Sequence, residues 1–377
     1  MIDTIVLMID DKNFSILDHN RFNPSTEFLY QPVKFNSHGE QKFICNPTKK
    51  EKEKYYFPRL SIHKRFYGAG FGVTMKIEFS APKLLFQNNF QELDDADFDS
   101  VIQILSSRMQ ELKIFIHPDV LKKAYVQKID YSKNIFLDNY TTCSMVISEL
   151  SKLNLTRRLD LTKTDYKNEG QAIVYHASSY EIKIYDKIKD LEQDKKFGDK
   201  RSIENDSSYQ RDLFNANKEV LRIEGRFSRK KLTPLLKKLN IQADLTFDNL
   251  FCTSISKTII THFWEQIIED LRFQHFAPDK TDNLIASIKA TFPRITYAKL
   301  LKMVGAIYLI NQIGVRATRI ELNINDGSWY RLLKDLKKIK VNDKNYRFIG
   351  ITEIQNKIER FEIISESDYK KLKSNEK

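Results

Sequence analysis

Three short stretches share one local pattern: Lys76-Ile77-Glu78-Phe79, Lys128-Ile129-Asp130-Tyr131 and Arg222-Ile223-Glu224-Gly225. In a strand, alternate side chains share a face, so each cation and carboxylate point one way while Ile77, Ile129 and Ile223 point the other. A fourth stretch, Glu181 to Lys187, places Tyr185 where the others carry an acid, with Lys183 and Lys187 on the same face. One tyrosine facing three carboxylates suits phosphodiester cleavage by a tyrosine nucleophile. Asp130, Glu224 and Glu78 would hold Mg²⁺ or Mn²⁺ through hard oxygen ligands, and the cation would polarise the scissile phosphate. Tyr185 would attack; a free phenol has a pKa of about 10, so Lys187 and Lys183 are placed to favour the phenolate.

The same alternation is also what a solvated antiparallel sheet with cross-strand ion pairs displays. It recurs at Arg319-Ile320-Glu321 and Lys357-Ile358-Glu359, where no active site is expected. The seven histidines form no H-x-H, H-x-x-E-H or H-E-x-x-H signature, which removes zinc-hydrolase and paired-histidine nuclease readings. His63, on the hairpin that carries Glu78, stands as an auxiliary ligand or as a satisfied sheet residue. No G-x-S-x-G and no phosphate-cradling glycine loop occurs. Cys45, Cys143 and Cys252 lie far apart with no C-x-x-C pair, so neither a disulfide framework nor a zinc site is expected, and a reducing cytoplasm is.

The elements that must position these residues follow from periodicity. Met1 to Asp10 reads as a buried first strand, too short for a membrane span. Tyr55 to Phe79 reads as two strands around Gly68 and Gly70, and Asp94 to Leu112 as a helix with an acidic amino end. A strand over Ala124 to Tyr131, a helix over Thr141 to Leu153, and strands over 171–176 and 180–187 follow. The charged stretch 190–217 is a solvated helix or an insertion. Glu219 to Phe227 is one more strand, and Leu232, Leu235, Leu236 and Leu239 mark a basic amphipathic helix after it. Beyond Asp244 apolar residues recur at helical spacing. With 377 residues, 41% of them hydrophobic, the chain is long enough for two folded domains: 1–243, α+β on an antiparallel sheet, and 244–377, smaller and mainly helical. A surplus of 62 Lys and Arg over 50 Asp and Glu makes a polyanion such as nucleic acid a natural partner, although a lysine-rich proteome gives the same surplus.

The order of these motifs resembles that of rolling-circle replication initiators, in particular the gene II replication proteins of filamentous phages and their plasmid relatives. Met1-Ile-Asp-Thr-Ile-Val-Leu7 resembles the family's opening strand, and Met75 to Leu85 its V-E-I-K-A-S-P-A-K-V-L type segment. Lys128-Ile129-Asp130 resembles an R-I-D strand, Ile184-Tyr-Asp-Lys187 the strand with the nucleophile, and Val220 to Arg226 a V-R-F-E-A-R strand. The resemblance implies a nucleotidyl-transfer, palm-like domain and a metal-dependent endonuclease and strand transferase acting on single-stranded or supercoiled origin DNA. It makes Tyr185 the nucleophile that keeps the 5′-phosphate, Lys187 its electrostatic partner, and Asp130 and Glu224 the best-matched acids, with Glu78 offset by one or two residues. Host DNA polymerase and helicase are the implied partners, without a membrane or a nucleotide cofactor.

DNA would be gripped by Arg226, Arg229, Lys230 and Lys231, which follow Glu224 directly, and by Lys183. In the carboxy part, 296–312 and 328–339 are expected to form a helix-turn-helix or winged-helix relative with a short strand over Arg319 to Ile324. There Asp326 or Ser328 would cap the last helix, and Arg316, Arg319, Arg331, Lys334, Lys337 and Lys338 would meet phosphates. Tyr175 or Tyr180 is a candidate second tyrosine, although Tyr180 has the opposite strand parity to Tyr185. The rival reading is a non-catalytic, sequence-specific DNA-binding regulator on the same scaffold.

Overall fold

Ile2, Ile5, Leu7 and Ile9 recur along the first strand, β1 (Ile2–Asp10), and all are buried. A strand with so apolar a composition has to be covered, and β1 lies near the middle of a ten-stranded antiparallel sheet. The computed structural model describes residues 1–31, 39–45, 47–67, 70–137, 142–167, 171–190, 219–274, 281–313, 318–319, 321–336, 338–339 and 349–364. The remaining strands are β2 (Ser15–Ile16), β3 (Phe22–Asn23), β4 (Glu40–Cys45), β5 (Arg59–Tyr67), β6 (Gly70–Ser80), β7 (Ile114–Phe115), β8 (Tyr125–Leu137), β9 (Leu161–Lys167), β10 (Ala172–Ala177), β11 (Tyr180–Asp186) and β12 (Glu219–Ser228).

The sheet order is β3-β4-β5-β6-β1-β8-β12-β11-β10-β9, with β2 and β7 pairing apart. Outward from the central β1/β8 pair, the two halves run β1-β6-β5-β4-β3 and β8-β12-β11-β10-β9. In chain order each half therefore lays down its inner strand, jumps to its outer edge and builds back inward. The same topology is used twice, and the Lys76-Ile-Glu and Arg222-Ile-Glu motifs fall on the equivalent strands β6 and β12.

The helices are α1 (Lys49–Lys54), α2 (Ala81–Phe86), α3 (Phe98–Glu111), α4 (Pro118–Lys122), α5 (Cys143–Ser151), α6 (Arg229–Lys238), α7 (Phe247–Leu250), α8 (Thr253–Gln274), α9 (Thr281–Thr291), α10 (Tyr297–Ile313), α11 (Asp326–Leu336) and α12 (Ile349–Arg360). Val101, Leu105 and Met109 of α3, Val146 and Leu150 of α5, Leu232 and Leu236 of α6, and Ile260, Trp264 and Ile267 of α8 share one core with the apolar sheet face. On that face Gly225 lies opposite Ile182, and a Cβ there would sit 2.7 Å from the Phe227 ring. The absent side chain makes room for Phe227 between Tyr180 and Phe263, with ring centroids 6.2 and 5.3 Å away.

The sheet core does not divide at residue 243, because Phe247, Leu250, Ile259, Trp264, Ile354 and Phe361 all belong to it. A second, smaller core joins Leu284, Ile288, Met303, Ile307, Ile310, Trp329, Leu332 and Leu336. The strand expected over Arg319 to Ile324 is absent: Leu322 N–H donates to the Thr318 carbonyl at 3.1 Å, a helical turn. The last helix of that expected motif, α11, begins at Asp326, and the residue before it supplies a cap: the Asn325 side chain accepts from Ser328 N–H at 2.9 Å. Arg316, Lys337 and nearly all of 190–217 lie outside the described residues.

The opposite sheet face also departs from the expected solvated surface. Asp130, Ser132, Asn134, Arg222 and Glu224 are buried on it. Residues 87–93 cross over its β8/β12 end, where Phe90 packs with Val220 and Ile364. β8 runs to Leu137 rather than stopping at Tyr131. Past Ile2, where β1 no longer covers it, the Glu92 carboxylate accepts the Asn134 N–H at 2.7 Å and pairs with the buried Lys133 ammonium. A side chain thus replaces the missing strand.

Candidate active site

β11 and β12 are adjacent, with Lys183 opposite Glu224 and Tyr185 opposite Arg222. Directly opposed residues share a face, so all four side chains converge on the polar face of the sheet. The Tyr185 hydroxyl donates to Glu224 Oε2 at 3.1 Å. Lys183 Nζ lies 3.5 Å from the other Glu224 oxygen, and Arg222 Nε lies 3.9 Å from Oε2. The carboxylate is held between a phenol and two cations.

Arg222 organises the cluster. Its guanidinium, 2% exposed, meets Asp3 at 3.0 Å, donates to Ser132 Oγ at 3.0 Å and to Asn134 Oδ1 at 3.2 Å, and reaches the Asn89 carbonyl at 2.8 Å. Burial alone would raise the Asp3 carboxyl, but Arg222 and Lys187 together hold it below the usual carboxylate range. Neither Arg222 nor Asp3 was singled out in the sequence. Arg222 is hidden as the cation of a repeated motif, and Asp3 as one polar residue in an apolar strand.

Tyr185 is partly exposed. The expected help from neighbouring cations is outweighed, because burial, reinforced by the Glu224 charge, holds the hydroxyl well above its usual range. The phenol is therefore protonated at neutral pH, and Glu224 is the group positioned to accept its proton. Lys187 is wholly buried just past the end of β11, pairs with Asp190 at 3.1 Å, and has its ammonium 5.7 Å from the Tyr185 ring centroid. Burial lowers its pKa.

Asp130 lies on the same face, opposite Arg226, which grips it bidentately: Nε reaches the two carboxylate oxygens at 3.0 and 2.9 Å and Nη2 reaches Oδ2 at 2.6 Å. Burial pushes the Asp130 carboxyl up to about 7 although Arg226 opposes the shift. Glu78 is not brought into the group. It is exposed on β6, three strands from Glu224, a separation of about 14 Å in the sheet plane at about 4.8 Å per strand. A divalent cation needs carboxylate oxygens free to converge on one point. With both Asp130 oxygens on Arg226, Glu224 engaged by Tyr185 and Lys183, and Glu78 remote, this donor set does not fit one.

Among the DNA-gripping candidates, Arg226 is committed to Asp130 and Lys183 lies between Glu181 at 3.2 Å and Glu224. Arg229 and Lys230 are exposed at the start of α6. Arg229 lies over the Tyr125 ring at 4.7 Å and Lys231 over the Tyr180 ring at 4.2 Å. Tyr175 and Tyr180 are buried on the apolar face, away from Tyr185. His63 also lies apart from Glu224, bonded to Ser61 and Glu40 on β5 and β4. No helix among the described residues is long and apolar enough to cross a membrane.

Comparison of the chain with protein-family models, curated proteins and solved structures finds no match.

Proposed function

We propose that this chain is a rolling-circle DNA replication initiator that nicks one strand of origin DNA through a covalent phosphotyrosine at Tyr185 and later rejoins it. The observation that carries this reading is the hydrogen bond from the half-buried Tyr185 hydroxyl to Glu224 inside a cluster of Arg222, Lys183 and Lys187. The order of motifs shared with the initiator family, and with it the nucleotidyl-transfer character of the domain, supports the reading. The +12 net charge is consistent with a polyanionic substrate.

In the proposed step, the Tyr185 oxygen attacks the scissile phosphorus as its proton passes to Glu224. The bond from phosphorus to the 3′-oxygen breaks, and that oxygen leaves as a hydroxyl after taking up the proton. Lys183, the most accessible cation of the cluster, would stabilise charge growing on the non-bridging oxygens, with the buried Arg222 and Lys187 adding their field. The 5′-phosphate stays on Tyr185, and attack by a 3′-hydroxyl reverses the step to join strands. Arg229, Lys230 and Lys231 would hold flanking phosphates.

The test is incubation of the protein with end-labelled single-stranded and supercoiled DNA from the replicon that encodes it, with Mg²⁺, with Mn²⁺ and with chelator. Nicking with a protein-linked 5′ end supports the reading. Binding without cleavage under every condition would replace it with the non-catalytic regulator.

A further inference from the structure

Strands β4 and β5, in the other half of the sheet, carry a second polar constellation. On β5, Ser61 Oγ and His63 Nε2 are 3.0 Å apart, and His63 Nδ1 lies 2.6 Å from Glu40 Oε1 on β4. Two contacts, one from His63 and one from the Arg65 guanidinium at 3.1 Å, hold the Glu40 carboxyl below its usual range, so it is ionised and can only accept. Nδ1 therefore carries the ring proton, Nε2 accepts, and the Ser61 hydroxyl donates to it. Burial, aided by Lys76 and opposed by Glu40, holds His63 below its ordinary value, which keeps the ring neutral at neutral pH. A serine bonded to a neutral imidazole that is oriented by a carboxylate is an activated nucleophile by geometry and roles.

The surroundings select the substrate. β5 is paired on both sides, with β4 and with β6, so its backbone N–H groups serve the ladders and offer no oxyanion hole. The cations on this face must do that work: Lys76 lies directly opposite Ser61, and Lys42 directly opposite His63. Such a site favours a group that is already anionic. Ser61 is partly exposed while His63 is 7% exposed, so the nucleophile is reachable and its base is sheltered.

We propose that Ser61, His63 and Glu40 form a second nucleophilic centre, acting on phosphate esters. Ser61 Oγ attacks phosphorus, its proton moves to His63 Nε2, the ester P–O bond breaks, and the leaving oxygen takes that proton. Water then attacks the phosphoryl-serine with His63 as base, the Ser61 oxygen leaves and takes up that proton, and Ser61–OH returns with the cleaved phosphate, a monoester where the substrate is a diester. This centre is independent of the Tyr185 reading.

Bis(p-nitrophenyl) phosphate is the probe. The full chain, quenched after mixing and mapped by peptide mass spectrometry, should carry a p-nitrophenyl phosphoryl adduct on Ser61, with release of one p-nitrophenol. Adduct formation should vanish in Ser61→Ala, fall by about 100-fold or more in His63→Gln, fall less in Glu40→Gln, and be unchanged in Tyr185→Phe. Mapping the site on the unaltered protein keeps the test valid if a variant fails to fold. Absence of an adduct on Ser61, or one undiminished in a folded His63→Gln protein, would overturn the proposal. Acylation of Ser61 by p-nitrophenyl acetate with no adduct from the phosphate diester would overturn its substrate class.

Discussion

Tyr185 donates its hydroxyl to Glu224 rather than to a residue facing it squarely across the ladder, where Arg222 stands. The diagonal contact leaves Arg222 free to lock Asp3, Ser132 and Asn134 beneath the phenol, so the nucleophile candidate, its proton acceptor and a buried cation come from two adjacent strands. A protonated phenol beside an ionisable carboxylate points to proton transfer concerted with attack, not to a standing phenolate.

Glu224→Gln keeps the shape and a hydrogen-bond acceptor for Tyr185 but removes the base. Nicking should fall by about 100-fold or more while DNA binding, measured by fluorescence anisotropy, changes little. A rate within a few-fold of the unaltered protein would remove Glu224 from the mechanism.

Asp130 supplies a pH signature. Its folded pKa, raised to about 7, lies above the unfolded carboxylate value, so the folded state holds the extra proton. The stability that this gives is fully present below the unfolded pKa, near 3.9, and is lost as pH rises through about 7. Asp130→Asn removes that slope, and melting curves across this window should flatten relative to the unaltered protein.

Lys133 and Glu92 form an ion pair with side chains 3% and 4% exposed. Glu92→Ala would leave a buried ammonium and an unpaired Asn134 N–H, and should destabilise the protein by about 3–5 kcal/mol, read by urea denaturation. A loss under about 1 kcal/mol, the range of an exposed pair, would contradict the role given to this contact.

Gly225→Ala puts a methyl 2.7 Å from the Phe227 ring. Overpacking should cost about 1–3 kcal/mol and, because Glu224 and Arg226 flank the position, lower nicking as well. Phe227→Leu in the same background relieves the clash and should recover part of the stability.

Much of this architecture is legible in the residues. A continuous apolar run announces β1; alternation announces the β5–β6 hairpin, β11 and β12, and the acidic start announces α3, because each of these has one apolar face and period decides its type. The carboxy half of β8 was not legible: Ser132, Lys133 and Asn134 look like a turn, and only the covering residues 87–93 and Glu92 give their polar groups partners. The Tyr185–Glu224 approach follows from parity and strand adjacency, whereas parity cannot say that Glu78 lies on the far side of β1 and β8. The Ser61–His63–Glu40 chain escaped because Glu40 and His63, 23 residues apart, meet only through the β4–β5 register.

The most direct measurement is peptide mapping of the protein after reaction with its origin DNA, followed by nuclease digestion and mass spectrometry. The account predicts a nucleotide 5′-phosphate attached to Tyr185, absent from Tyr185→Phe. A covalent nucleotide on any other residue, or one that persists in Tyr185→Phe, would contradict it.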